Sequence, residues 1–263
     1  MKIPLYQLDA FADRLFAGNP AAVCPLDAWL PDETMQAIAA ENNLSETAFL
    51  VARADGDGFD LRWFTPAKEA DLCGHATLAA ARVMFGLDPA RDELAFHTRG
   101  GRLVVRNGGD ALTMDFPAAP PQPVADAEAV ATALRATPVS VHGAIYGMAV
   151  YDSADQVAAL DPDLDAVARL PWDGTIATAP AAADDDADFV SRFFAPAAGI
   201  PEDPVTGSAH CMLVPFWSAQ LAKSPVRGHQ ISARGGVVLG EHRADRVYLS
   251  GNVVPYSEGA ILL

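Results

Sequence analysis

The chain has 263 residues, 51% of them hydrophobic and 20% charged, and its 18 Lys+Arg against 34 Asp+Glu leave a net charge of −16 at pH 7. The hydrophobic share excludes an intrinsically disordered chain, and the acidity argues against nucleic acid or an anionic membrane surface as a partner. No apolar run is long enough to span a bilayer and the N-terminus lacks a signal-peptide core, so a cytoplasmic protein of one large domain or two smaller ones is expected. Cys24, Cys73 and Cys211 are odd in number and outside any CxxC pair. That spacing suits neither a disulfide framework nor a structural zinc site.

In chain order, strand-like segments run over Ile3 to Phe11, Thr47 to Arg53, Asp60 to Phe64, Leu94 to Thr98, Arg102 to Val105 and Leu112 to Phe116. Between them, Asp32 to Asn42 follows Pro31, carries acids in its first turn and aligns Met35, Ile38 and Ala39 on one face, which predicts a helix. A second helix is predicted over Cys73 to Phe85, apolar nearly all round and ending before Gly86. It reads as buried. Pro117 to Pro123 is too proline-rich to continue a sheet or helix and reads as an extended linker dividing the chain into halves, 1–117 and 118–263, the last strand being free to return to the first half. Ala181 to Asp188 reads as a solvated loop.

An internal repeat relates the halves. Phe64-Thr65-Pro66-Ala67 is echoed by Phe194-Ala195-Pro196-Ala197; His75 and His210 stand 135 residues apart, as do Arg99-Gly100-Gly101 and Arg234-Gly235-Gly236. The expected fold is therefore α+β, with two pseudo-repeated halves, each a curved, mostly antiparallel sheet around one buried helix. Cys73 and Ser208 would open the two helices at equivalent positions. Unpaired N–H groups at two such helix starts, facing one cleft, would suit a carboxylate or a developing enolate. The arginines before the Gly-Gly pairs suit hairpin turns, and the pairs themselves do not match a phosphate loop.

Four motifs carry a more specific signal: Gly18-Asn19-Pro20-Ala21-Ala22-Val23, Asn43-Leu44-Ser45-Glu46-Thr47-Ala48-Phe49, Asp71-Leu72-Cys73-Gly74-His75-Ala76-Thr77-Leu78 and Glu202-Asp203-Pro204-Val205-Thr206-Gly207-Ser208-Ala209-His210. In this order they resemble the PhzF-like phenazine-biosynthesis family, and the resemblance runs from about Gln7 to Gly259. It implies a diaminopimelate-epimerase-like fold and a homodimer. It also implies an isomerase, without metal or cofactor, that shifts a proton between carbons of a small carboxylic acid, similar to trans-2,3-dihydro-3-hydroxyanthranilate isomerase.

On the matching positions the resemblance assigns Glu46 as the acid/base, with His75 and Asp203 beside it in the catalytic set. Ser208, Gly74, Gly207 and Asn19 would bind substrate. A carboxylate is a weak base toward carbon, so Glu46 needs burial, for which Leu44 and Phe49 provide apolar neighbours. Read alone, Glu46 suits a helix cap or a surface charge, and Asp203 before Pro204 suits a turn. Diaminopimelate epimerase and proline racemase resemble this fold but start both helices with Cys, whereas here the pair reads Cys73 and Ser208, and a hydroxyl is far less acidic than a thiol. Cys73 then reads as a small buried residue, Cys24 and Cys211 as core thiols, and His210 as structural. His97, His142, His229 and His242 have no ligand spacing. The alternatives are an amino-acid epimerase or racemase using Cys73 with another base, and a metabolite-binding protein without turnover.

Overall fold

A computed structural model describes residues 1–125 and 127–263 and divides the chain into two units, Met1–Asp115 with Ser250–Leu263, and Phe116–Leu249. The first contains β1 (Lys2–Ala10), β2 (Asn19–Leu26), α1 (Asp32–Asn42), β3 (Glu46–Ala52), β4 (Phe59–Phe64), β5 (Glu69–Ala70), α2 (Gly74–Leu87), β6 (Glu93–Thr98), β7 (Gly101–Gly108) and most of β8 (Ala111–Pro117), whose end runs into the second. The second follows with β9 (Gln122–Pro123), α3 (Glu128–Leu134), β10 (Ser140–Gly143), β11 (Gly147–Val150), α4 (Ala154–Ala158), α5 (Leu164–Val167), β12 (Thr175–Pro180) and β13 (Phe189–Phe194). After a 3-10 turn at Pro196–Ala198 come α6 (Gly207–Leu221), β14 (Val226–Gln230) and β15 (Gly236–Arg243). The last strand, β16 (Arg246–Leu262), begins in the second unit and ends in the first.

In the first unit the strands neighbour one another in the order β1-β2-β3-β4-β6-β7-β8-β16, and β16 also pairs with β1, from Lys2 opposite Leu262 to Ala10 opposite Val253. The sheet closes on itself, which leaves no exposed edge along this circuit. Most pairs are antiparallel, with β2–β3 and β4–β6 parallel. Helix α2 packs against β1, β2, β3 and β7 and buries nine side chains from His75 to Phe85. Such all-round burial follows from its Ala-rich sequence, since small side chains let strands approach on several sides. Helix α1 turns its Met35, Ile38 and Ala39 stripe onto Phe49 and Phe64, and its chain reverses through left-handed Asn43 directly before β3.

The second unit runs β9-β10-β11-β12-β13-β14-β15-β16, with β11–β12 and β13–β14 parallel. Helices α3, α4 and α5 bury Leu134, Val157 and Val167 against Tyr151, just past β11, and Phe194 of β13. Helix α6 packs against β14 and β15. Its Trp217 stacks on Phe189 at 5.7 Å and donates to Thr178 Oγ1 at 2.9 Å. The architecture is mixed α+β and sheet-rich. No helix of the described residues is long and apolar enough to cross a membrane.

Several sequence expectations need correction. Helix α2 continues through Gly86 to Leu87, because an exposed glycine in a last turn weakens a helix without breaking it. The Pro-rich segment is not a free linker. Pro117 ends β8, and Gln122–Pro123 pairs with Gly143 and His142 as β9, the last strand in its unit's order, where a missing proline N–H is tolerated. Ala181 to Asp188 is the largely exposed loop expected, tied down at its end, where Asp188 accepts hydrogen bonds from Lys223 Nζ at 2.6 Å and Arg227 N at 2.7 Å.

Candidate active site

Glu46 is the first residue of β3 and is 8% exposed, so the surface-charge reading fails, as does the helix cap. Parallel pairing sets Glu46 beside Ala21 of β2, and the two-residue period of a strand then puts Asn19 on the same face as Glu46. Asn19 is fully buried. The preceding Gly18 has φ of +66°, and a Cβ there would lie 2.2 Å from the Ala10 carbonyl oxygen, so only glycine lets the chain turn into β2 at this point.

His75, 5% exposed, is the second residue of α2, and its Nε2 lies 3.0 Å from Glu46 Oε2. That approach is close enough for an ion pair but misaligned for a hydrogen bond, which leaves both buried atoms with unused bonding capacity. On the other side of the ring, His75 Nδ1 lies 3.5 Å from Cys73 Sγ. Cys73 caps α2 with extended backbone and no side-chain capping bond, while its carbonyl accepts from Thr77 Oγ1 at 2.6 Å.

The electrostatics distinguish the three groups. Burial pushes the Cys73 thiol up to about 11, the Glu46 carboxylate adds to the rise, and His75 only partly opposes it. Cys73 is therefore a neutral thiol at physiological pH, and inert as a base. Burial disfavours the His75 imidazolium, but the Cys73 sulfur and the Glu46 carboxylate outweigh it and hold His75 well above the ordinary imidazole range. Donor atoms of Glu46, Cys73 and His75 all lie within 4.8 Å, a grouping that could hold a metal ion. The thiol approaches Nδ1 and the carboxylate Nε2 of the same ring, so the three groups are packed closely together rather than spread apart.

The second unit holds Asp203, Thr206, Ser208 and His210 at the start of α6. Thr206 is the extended N-cap and Gly207 the first helical residue. Since Cys73 is also an extended N-cap and Gly74 also the first residue, Thr206 shares the helix position of Cys73, and Ser208 shares that of His75. The expected equivalence of Cys73 with Ser208 is thus off by two residues. Asp203, 8% exposed, accepts a short hydrogen bond from Thr206 Oγ1. Gln230 completes a ring around it: its Nε2 donates to the Asp203 carbonyl at 2.7 Å, and its Oε1 accepts from Thr206 N at 2.9 Å.

Ser208 is half-buried and its hydroxyl lies 2.9 Å from that of Tyr146. Tyr146 sits in the β10–β11 turn, edge-on to Phe193 at 4.8 Å. Neither Tyr146 nor Gln230 was singled out by the sequence reading; a lone Tyr between Gly143 and Gly147 was the only local sign of the former. His210 is fully buried, contacts the Thr206 carbonyl through Nδ1 at 2.8 Å and is lowered by burial to about 4. It is a neutral, structural histidine.

A model of the phenazine biosynthesis-like proteins, PhzC-PhzF, matches residues 8–259. The chain belongs to this family. An uncharacterized isomerase of Pseudomonas aeruginosa is 49% identical over 264 residues and covers 100% of both chains. The crystal structure of a PhzF-family protein from Enterococcus faecalis superposes with a TM-score of 0.95 at 40% identity, again with 100% of both chains covered. A hydroxyproline epimerase from Agrobacterium vitis matches at a TM-score of 0.61 and 11% identity over 99% of this chain and 92% of the other, a likeness of fold alone. Among PhzF relatives the named activities are those of isomerases, and the chain is an isomerase of this family.

Proposed function

We propose that this isomerase shifts a proton between carbons of a small amino- or hydroxy-bearing carboxylic acid, similar to trans-2,3-dihydro-3-hydroxyanthranilate isomerase and without metal or cofactor, with Glu46 carrying the proton. The observation that supports this reading is the buried contact of Glu46 Oε2 with His75 Nε2 at 3.0 Å, both atoms having bonding capacity left for a reacting group. In the reaction a C–H bond of the substrate breaks and its proton passes to the Glu46 carboxylate. The electron pair delocalises toward an adjoining unsaturated or carboxylate group, and the double bond moves. The proton then returns from Glu46 to a second carbon, so nothing is gained or lost overall. A positively charged His75 steadies the carboxylate before the transfer and favours onward release of the proton afterwards.

Asp203 and Ser208 are proposed to bind substrate polar groups, and Gly74, Gly207 and Asn19 to bind substrate with them. Two pseudo-repeated halves, each with a buried central helix, and a homodimer belong to the same proposal. A racemase using Cys73 finds no support in the thiol, which burial raises to about 11. Nor does the other helix start supply a thiol, since its equivalent position is Thr206.

The test is turnover of trans-2,3-dihydro-3-hydroxyanthranilate and a panel of unsaturated amino and hydroxy acids, followed by proton NMR. A shifted double bond with wild-type protein, absent with Glu46→Gln, is expected. Conversion that survives Glu46→Gln would overturn the assignment of Glu46.

A further inference from the structure

The first unit contains a cavity of about 740 Å³ whose lining does not include Glu46; it is formed by the C-terminal part of α2, β1, β16 and the β7–β8 turn. Ligand pockets commonly fall within ~300–1,000 Å³. A β-bulge builds one wall. Gln7 pairs with Ser257 and Leu8 with Pro255, so Tyr256 is the extra residue in β16. A regular strand would send alternate residues to opposite faces; here Pro255, Tyr256, Ser257 and Glu258 all line the cavity. Leu87 and Pro89 supply more apolar surface opposite.

Two charged side chains stand out on this apolar lining. Arg82, on α2, is half-buried and has no ion pair or hydrogen bond among the described residues, although the chain carries 34 acids to 18 bases. Glu258 lines the same cavity and likewise has no such partner, nor does it pair with Arg82. The Arg82 guanidinium is open to solvent from the cavity and has no protein anion among the described residues, so it is available to a ligand, and Arg is suited to a bidentate carboxylate. Gly86, in the last turn of α2, also lines the cavity and leaves open space where a Cβ would stand. A glycine inside a helix is destabilising by ~1 kcal/mol against alanine, so its presence here keeps room open at a cost.

We propose that this cavity is a second small-molecule site, which takes a zwitterionic α-amino acid with a large apolar side chain. The carboxylate pairs with Arg82, the ammonium with Glu258, and the side chain fills the space between Leu87, Pro89 and Tyr256. The site is distinct from the Glu46 cluster, since Arg82 lies seven residues, about 10 Å of helix rise, beyond His75 along α2.

The experiment is isothermal titration calorimetry with L-phenylalanine as the probe. Controls are L-alanine, phenethylamine without the carboxylate, and 3-phenylpropanoate without the amine. The wild-type chain and Glu46→Gln are expected to bind L-phenylalanine equally and each control at least about tenfold more weakly, since each control removes a charge-assisted contact or the apolar filling. Arg82→Met and Glu258→Gln are each expected to lose about tenfold or more in affinity. Gly86→Leu, which puts a side chain where space is open, is expected to abolish binding while melting at no lower a temperature. Absence of L-phenylalanine binding in the wild type would overturn the proposal, as would binding unchanged by Arg82→Met and Gly86→Leu. Loss of binding in Glu46→Gln alone would overturn it too, and would place the ligand at the catalytic cluster.

Discussion

The starts of α2 and α6 are built on the same backbone plan and filled with opposite chemistry. Each has an extended N-cap, Cys73 or Thr206, followed by a glycine as first helical residue. At α2 the next residue is His75, raised by the Cys73 sulfur and by the Glu46 carboxylate 3.0 Å from its Nε2. At α6 the corresponding residue is Ser208, whose hydroxyl meets that of Tyr146, next to a set of hydrogen bonds among Thr206, Asp203 and Gln230, and the nearby His210 is held neutral by burial. Similar helix starts thus carry different side-chain chemistry. A titratable pair beside one helix start suits the proposed acid/base role, whereas the hydrogen-bonded groups at the other suit the proposed role of holding polar groups in place.

Breaking the charged side should have the largest effect. Glu46→Gln keeps the size of the side chain but removes its basicity, and a loss of about 10³-fold or more in turnover is expected with unchanged circular dichroism.

The two histidines should give stability profiles of opposite slope. His210 is lowered from 6.5 to about 4, so between those values the unfolded chain binds a proton that the folded one excludes. Its contribution is complete above pH 6.5 and lost as pH falls toward 4, amounting to about 3 kcal/mol for two to three pK units. His75 is raised, so the folded chain holds a proton that the unfolded one releases; its contribution is complete below pH 6.5 and lost as pH rises through its elevated value. Urea unfolding across pH should show His210→Gln flattening the acid side and His75→Gln the alkaline side.

Smaller changes sharpen the contrast at the caps. Thr206→Val removes the hydroxyl donated to Asp203 and should destabilise the chain by about 1–3 kcal/mol in the same unfolding assay, because a buried carboxylate loses one of its hydrogen bonds. Cys73→Ala should leave turnover within about tenfold of wild type, because a thiol that titrates near 11 is not the base; a loss as large as that of Glu46→Gln would move the chemistry to sulfur.

How far the sequence foretold this depends on whether the signal was local. Helix α1 is expected and found at Asp32–Asn42, since Pro31, the acidic first turn and a three-residue apolar face all lie within it. Membership of the PhzF family was legible from four motifs, and Glu46 and His75 each lie in one of them. Their 3.0 Å contact was not, because it depends on β3 and α2 meeting across 29 residues of chain. Aligning His75 with His210 misplaced the second helix start by two residues. Side-chain identity suggested that register, whereas backbone capping geometry sets the true one. Tyr146 escaped notice because a turn tyrosine has no periodicity to mark it, and its partner Ser208 is 62 residues away.

The contrast between the helix starts is tested most directly by a ¹⁵N NMR titration of the histidine side chains, assigned with His75→Gln and His210→Gln. At pH 7.5 His75 should show both ring nitrogens protonated and should lose that signature in Glu46→Gln, while His210 stays neutral with its proton on Nδ1, facing the Thr206 carbonyl. A neutral His75 at that pH, or one indifferent to Glu46→Gln, would contradict the charged pair on which the mechanism rests.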